Sequence, residues 1–288
     1  MVKAFCPGHI TCFFQPSDPG QADLLRRGSR GAGIRLSLGS EAVLEERSDD
    51  RVRVAIDGVE TSAPVTEYVM SQMLPGRGYD VIVSNGLPCG EGFGMSASGA
   101  IAVALCAADI LGEGMPAVYR AAHKADIVGG GGLGDVSAIS CPVHQPVRVD
   151  PGLPPRGRVV GTGIRFERLT LAVLGSRMDT GKVLADGTAF RSISSAGEKA
   201  MGEFMRSPDK GALFRISNGF SASSGVEGPE VASAIARLRS AGMMSAMCML
   251  GNSIFADASE DEVREVLGDV RTYACSSTDE LPKVIRRE

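Results

Sequence analysis

The sequence contains no tryptophan and only three histidines among its 288 residues. Its seven cysteines include no Cys-x-x-Cys pair and follow no regular spacing. A structural zinc site therefore has little to draw on. An odd cysteine set without pairs fits a reducing, cytoplasmic compartment better than a disulfide framework. Charge of one sign is also scarce. Lys plus Arg is 30 and Asp plus Glu is 34, a net charge of −4, with no block of like charges. That balance argues against nucleic-acid binding and against a polybasic membrane anchor. The longest uncharged apolar run, Ala97 to Ala108, is ended by Asp109. It is shorter than the ~18 residues of a membrane span. The first residues, MVKAFCPGHITCFF, carry a Pro-Gly break and lack the uninterrupted apolar stretch of a signal peptide.

What is present is globular. Apolar residues make up 43% and charged residues 22%, so disorder, collagen and coiled coil are excluded as whole-chain descriptions. The length suits one large domain or two ordinary ones. Val2 to Cys6 reads as a strand ended by Pro7-Gly8, and a Gly-rich stretch, Gly28 to Gly33, interrupts the next region. Ile34 to Leu38, Glu41 to Arg47, Arg51 to Ile56 and Asp80 to Val83 read as strands, and Val65 to Met73 as a helix. Helices follow over Ser96 to Leu111 and Met115 to Ile127, then a hinge-like run Gly129 to Gly132 and an extended segment Val136 to Cys141. The Pro- and Gly-rich stretch Pro151 to Gly163 is the best boundary, dividing the chain into 1–155 and 156–288. The second part reads as a strand at Leu169 to Leu174, helices at Val183 to Met205, Asp209 to Ser217 and Val231 to Arg239, and strands at Met243 to Met249 and Ser253 to Ala256. A helix at Glu260 to Leu267 and a strand at Val270 to Ala274 complete an α+β layout.

The sharpest segment is Pro88-Cys89-Gly90-Glu91-Gly92-Phe93-Gly94-Met95-Ser96-Ala97-Ser98, running from a strand into a helix N-terminus. Glycines let backbone approach an anion, and the free N–H groups of a helix start point at it. Ser96 and Ser98 add hydroxyls. As a bland alternative, the segment is a Gly-rich turn that binds nothing. A Walker A loop is absent, since the only Gly-Lys pair, Gly181-Lys182, is followed by Val183. Gly92 to Ala97 fits a dinucleotide fingerprint, but a second helix follows where a second parallel strand is needed. Gly94 to Ser98 misses the last glycine of a nucleophile elbow. His123 or His144 could still serve Ser96 as a base in a serine hydrolase.

PxGxGxGxSxS opening a helix resembles the ATP loop of the GHMP kinases, with Phe93 and Met95 departing from the usual pattern. Pro7-Gly8-His9 and Gly132-Leu133-Gly134-Asp135 resemble two further landmarks of that family, in the same order. The late Gly-rich motif falls at Met249 to Ser253 in altered form. Within the family, PGHITCFF, GSRGAG, GLGDVSAIS and MLGNSIF together resemble the archaeal pantoate kinases. The resemblance implies an α+β fold of two domains: an N-terminal mixed β/α ATP-loop domain and a C-terminal ferredoxin-like α+β domain. It implies ATP and Mg²⁺ as cofactors, pantoate as the small-molecule substrate, and a homodimer. Other acceptors of the family (shikimate, homoserine or a mevalonate-type alcohol) and a non-catalytic metabolite sensor stay open.

The expected site follows from that resemblance. Pro88, Gly90, Gly92, Gly94, Met95, Ser96, Ala97 and Ser98 would cradle the triphosphate. Ser96 and Asp126 would hold Mg²⁺, which takes oxygen ligands and keeps several waters. Asp126 stands where the family has Glu. Asp135, after a flexible glycine run, would accept the proton of the substrate hydroxyl. Arg148 is the first choice to grip the substrate carboxylate, Arg30 the second, with Ser29 and His9 as polar contacts.

Overall fold

A computed structural model describes residues 1–17, 20–130, 132–175 and 186–287. The Gly181-Lys182 pair and the expected helix start at Val183 lie outside them. Two sheets carry the fold. The larger contains β1 (Val2–Pro16), β2 (Ser29–Glu46), β3 (Val52–Ile56), β4 (Val59–Glu60), β5 (Tyr79–Asn85), β6 (Pro146–Asp150), β7 (Arg158–Gly161) and β12 (Lys283–Arg287). Its main path runs β12-β1-β2-β5-β3-β4, with β6 on β2 and β7 on β6. Among the described strands, only β3 and β5 pair in parallel, because α1 (Pro64–Met73) supplies the crossover between them.

The smaller sheet is antiparallel, in the order β11-β8-β10-β9, from β8 (Leu169–Val173), β9 (Ser245–Met247), β10 (Ser253–Ala256) and β11 (Arg271–Cys275). Helices α5 (Gly187–Phe204), α6 (Lys210–Ser224) and α7 (Pro229–Ser240) connect β8 to β9, and α8 (Glu260–Leu267) connects β10 to β11. Numbered within this sheet, the order is 4-1-3-2, the split βαβ arrangement of a ferredoxin-like unit. One core fills the space between the β1–β2 surface and this unit, with Phe13, Ile34, Phe204, Phe220 and Phe255 all buried. A second core joins β1, β2 and β5 to α1, α2 (Met95–Leu111) and α3 (Met115–Val128). Helix α2 is Ala-rich and has Gly94 and Gly112 in the left-handed region at its two ends. Its small side chains let it lie buried among its neighbours. Among the described residues, no helix is long and apolar enough to cross a membrane.

Several local expectations are corrected. Pro7-Gly8 does not end β1. The register shifts there and the strand continues, since a bulge accommodates a residue that lacks an N–H. The stretch Gly28 to Gly33 does not interrupt the region: β2 starts inside it at Ser29 and runs to Glu46, uniting the strands expected at Ile34 to Leu38 and Glu41 to Arg47. Its glycines serve close approach: a Cβ on Gly33 would lie 2.1 Å from His9 Nε2. Residues 136–141 do not form an extended segment; α4 (Asp135–Ile139) is a short helix. A short apolar run does not by itself distinguish strand from helix. Strands β7 and β12, both beyond residue 155, hydrogen-bond into the larger sheet. That sheet therefore draws on both sides of the expected boundary.

Candidate functional site

The glycine loop leaves the end of β5 and turns into α2. Gly90, Gly92 and Gly94 have φ of 81°, 77° and 69°, which an L side chain rarely adopts. The loop is clamped between β1 and the segment after β9. A Cβ on Gly94 would lie 2.6 Å from the His9 carbonyl oxygen, and one on Gly92 2.9 Å from those of Cys248 and Met249. Phe93 anchors the loop in the core. No side chain caps α2, which leaves its first turn suited to an anion.

Gly90, Gly92, Gly94, Met95 and Ser96 line one wall of a cleft that opens to solvent. Thr11, Phe14, Ser29, Gly132 to Asp135, Arg148, Met249 and Leu250 line the rest. Pro88, Ala97 and Ser98 do not line it. Ser98 is fully buried. Its hydroxyl donates to the Cys6 carbonyl at 2.7 Å and accepts from the Ser40 N–H at 3.0 Å. Two residues apart on a helix, Ser96 and Ser98 face different directions; Ser98 ties α2 to the sheet.

Ser96 is exposed and donates to Asp126 Oδ1 at 3.0 Å. Asp126, on α3, is buried. Burial, with Asp135 beside it, pushes its carboxyl up to about 7 against the pull of the Ser96 hydroxyl. The two carboxylates converge on Gly132, where a Cβ would lie 3.0 Å from Oδ2 of each.

Asp135 opens α4. Its Oδ1 is 2.6 Å from Nδ1 of His9, a fully buried residue. Burial works to raise Asp135, but the His9 bond and the nearby Arg148 charge outweigh it and hold its carboxyl below the ordinary range. Burial lowers His9 in turn, against the upward pull of the Asp135 bond. An ionised carboxylate only accepts; the proton of this bond therefore sits on Nδ1, and Nε2 has no partner among the described residues.

Arg148, from β6, is 1% exposed. Its Nε donates to the Ser29 carbonyl at 3.3 Å and its Nη2 to Thr11 Oγ1 at 3.5 Å, while Nη1 has no partner among the described residues. Burial lowers this guanidinium. Gly134 permits the close cover, since a Cβ there would lie 2.5 Å from Arg148 Nε.

Arg30 is not brought to the cleft. It is Ser29's neighbour on a strand, so it faces the other way. Its Nε donates to the Val149 carbonyl at 2.9 Å and its Nη1 to Gln15 Oε1 at 3.1 Å. Neither histidine of the hydrolase alternative reaches Ser96. His123 Nε2 bonds the Leu24 and Arg27 carbonyls, and His144 Nδ1 bonds Ser277. Thr11, Phe14, Met249 and Leu250 were not anticipated as lining residues. Thr11 was within reach, since it follows His9 by two along a strand and so shares its face.

The model of the GHMP kinases N terminal domain matches residues 61–141, the segment that holds the glycine loop, Ser96, Asp126 and Asp135. A pantoate kinase of Thermococcus kodakarensis is 32% identical over 286 residues, covering 94% of this chain and 93% of the relative. A solved structure described as a phosphotransferase related to the CoA biosynthesis pathway superposes with a TM-score of 0.87. It is 29% identical and covers 99% of this chain and 98% of that one. A homoserine kinase from Cytophaga hutchinsonii shares the fold at a TM-score of 0.67 and 16% identity, over 99% of this chain and 97% of its own. An ATP-type glycine loop, an ionised aspartate and a buried arginine on one cleft agree with these likenesses, and the chain belongs to the GHMP kinase superfamily, in the family of the pantoate kinases.

Proposed function

We propose that this protein transfers the terminal phosphoryl group of ATP to the primary hydroxyl of pantoate, giving 4-phosphopantoate for coenzyme A synthesis. The observation that carries the reading is the pairing of Asp135 with Arg148 in a cleft whose other wall is the glycine loop. Arg148, whose Nη1 has no partner among the described residues, meets the acceptor carboxylate. Asp135 accepts the hydrogen bond of the acceptor hydroxyl and takes its proton as the bond to phosphorus forms. A loose phosphoryl-transfer transition state asks more of positioning than of base strength, so a carboxylate held below its ordinary range is adequate. The His9 ring donates from Nδ1 and fixes which oxygen of Asp135 faces the acceptor.

Ser96 and Asp126 fit a magnesium ion: both offer oxygen, they are 3.0 Å apart, and Asp126 is a buried carboxylate with no cation beside it in a salt bridge among the described residues. Among those residues no group of three or more His, Cys, Asp or Glu gathers, which suits a metal that keeps waters and phosphate oxygens as ligands. Bound there, magnesium would neutralise phosphate charge.

The test is ADP release from Mg-ATP with pantoate, shikimate, homoserine and mevalonate in parallel. Turnover with pantoate alone is expected. Turnover with another acceptor and not with pantoate would discard the substrate. No turnover with any of the four would favour the sensor.

A further inference from the structure

Two non-glycine residues among the described ones have clearly positive φ. Asp57, at 52°, precedes Gly58 in the two-residue link between β3 and β4, where Asp-Gly is the usual choice. Leu250, at 64°, has no such local reason. The Gly251 N–H donates to the Cys248 carbonyl at 3.1 Å and closes a turn with Leu250 third. A positive φ at that position calls for glycine or asparagine, and leucine there is costly.

The surroundings hold the turn in place. The Met249 N–H donates to the Thr11 carbonyl at 3.0 Å, and the Cys248 N–H to that of Ser253 at 3.0 Å. A Cβ on Gly251 would lie 2.2 Å from the Glu91 backbone. This segment is thus pinned between β1 and the glycine loop. Leu250 is half-buried and lines the same cleft as Phe14, Met249, Arg148 and Asp135. A glycine would make the same turn at less cost but would remove this aliphatic side chain from the cleft.

We infer that Leu250 is a specificity-determining residue. Its isobutyl group, held in a costly backbone conformation, forms the apolar surface for the carbon skeleton between the acceptor's carboxylate and its reacting hydroxyl. The inference rests on the pantoate reading. Pantoate carries two methyl groups on the carbon next to its hydroxymethyl, and an aliphatic surface at this place selects for them.

The experiment compares kcat/KM for pantoate and for 2,4-dihydroxybutyrate, the same acceptor without the two methyls, in wild type, Leu250→Gly and Leu250→Met. The wild type is expected to prefer pantoate. In Leu250→Gly that preference should shrink about 10-fold, the scale on which an apolar pocket discriminates one or two carbons. Leu250→Met, which restores an apolar side chain, should recover most of it. If Leu250→Gly does not fold, Leu250→Asn suits the same backbone and should show the same loss. A preference unchanged in these variants, or both acceptors weakened alike, would overturn the inference and leave a structural role. A wild type that turns over neither acceptor would overturn the pantoate reading itself.

Discussion

Asp135 is surrounded by groups that hold its carboxyl below the ordinary range, and the proposed role for it in the cleft is to receive the acceptor's proton. Asp135→Asn keeps the shape and can still accept from His9. Its kcat should fall by about 10²–10⁴, the contribution of a positioned general base, with KM for ATP little changed. Undiminished turnover in steady-state assays would remove Asp135 from that role. His123 tests electrostatics away from the reaction. Burial lowers its pKa from 6.5. In the window below 6.5 the unfolded chain binds a proton that the folded one excludes, so this residue's contribution to stability is present above 6.5 and is lost as pH falls. The gap in urea midpoint between wild type and His123→Gln should therefore widen from pH 5 to pH 7. Asp126, raised to about 7, acts with the opposite sign but is common to both proteins and cancels. A gap that stays constant would mean that the ring titrates alike in both states.

At the scale of elements, α2 has two duties on two faces. Its first turn, with Ser96, belongs to the cleft, whereas Ser98 belongs to the sheet. Ser98→Ala leaves the Cys6 carbonyl and the Ser40 N–H without that partner. It should cost about 1–3 kcal/mol of unfolding free energy with KM for ATP unchanged. A raised KM with intact stability would return Ser98 to the nucleotide. The loop and its helix were legible in the sequence because glycine spacing and a charge-free Ala-rich run are local signals. The direction in which each serine points was not read: both were expected at the triphosphate, although helical geometry turns residues two apart to different sides. Arg30 against Ser29 is the same lesson on a strand. The glycines of β2 were not legible: spacing shows that they are there, but only the crossing of β1 shows that Gly33 makes room for His9.

For the whole molecule, the larger sheet is closed by the chain's last strand. β12 pairs with β1 from Val2 opposite Arg287 to Phe5 opposite Lys283. Its residues are largely exposed, so it contributes backbone hydrogen bonds and cover for an edge more than core. Removing residues 283–288 should lower the urea midpoint and promote concentration-dependent aggregation, as an uncovered strand edge does. Light scattering reads the second effect; a truncated protein that stays monodisperse and equally stable would show that β1 needs no cover.

Local chemistry carried much of this protein's description. Glycines at Gly90, Gly92 and Gly94 ahead of Ser96, and the order of the Pro7-Gly8-His9 and Gly132 to Asp135 segments, pointed to a phosphate loop and a phosphotransferase family because each signal is complete within a few residues. Tertiary structure decided what depends on separate segments meeting. It set His9 on Asp135 across 126 residues, buried Arg148 over Thr11 and Ser29, and turned Arg30 away. It also placed Leu250 in a backbone region that its own sequence disfavours. Such pairings are set by strand register, by helix rotation and by how closely backbones approach, and none of these is written in the spacing of one stretch of chain.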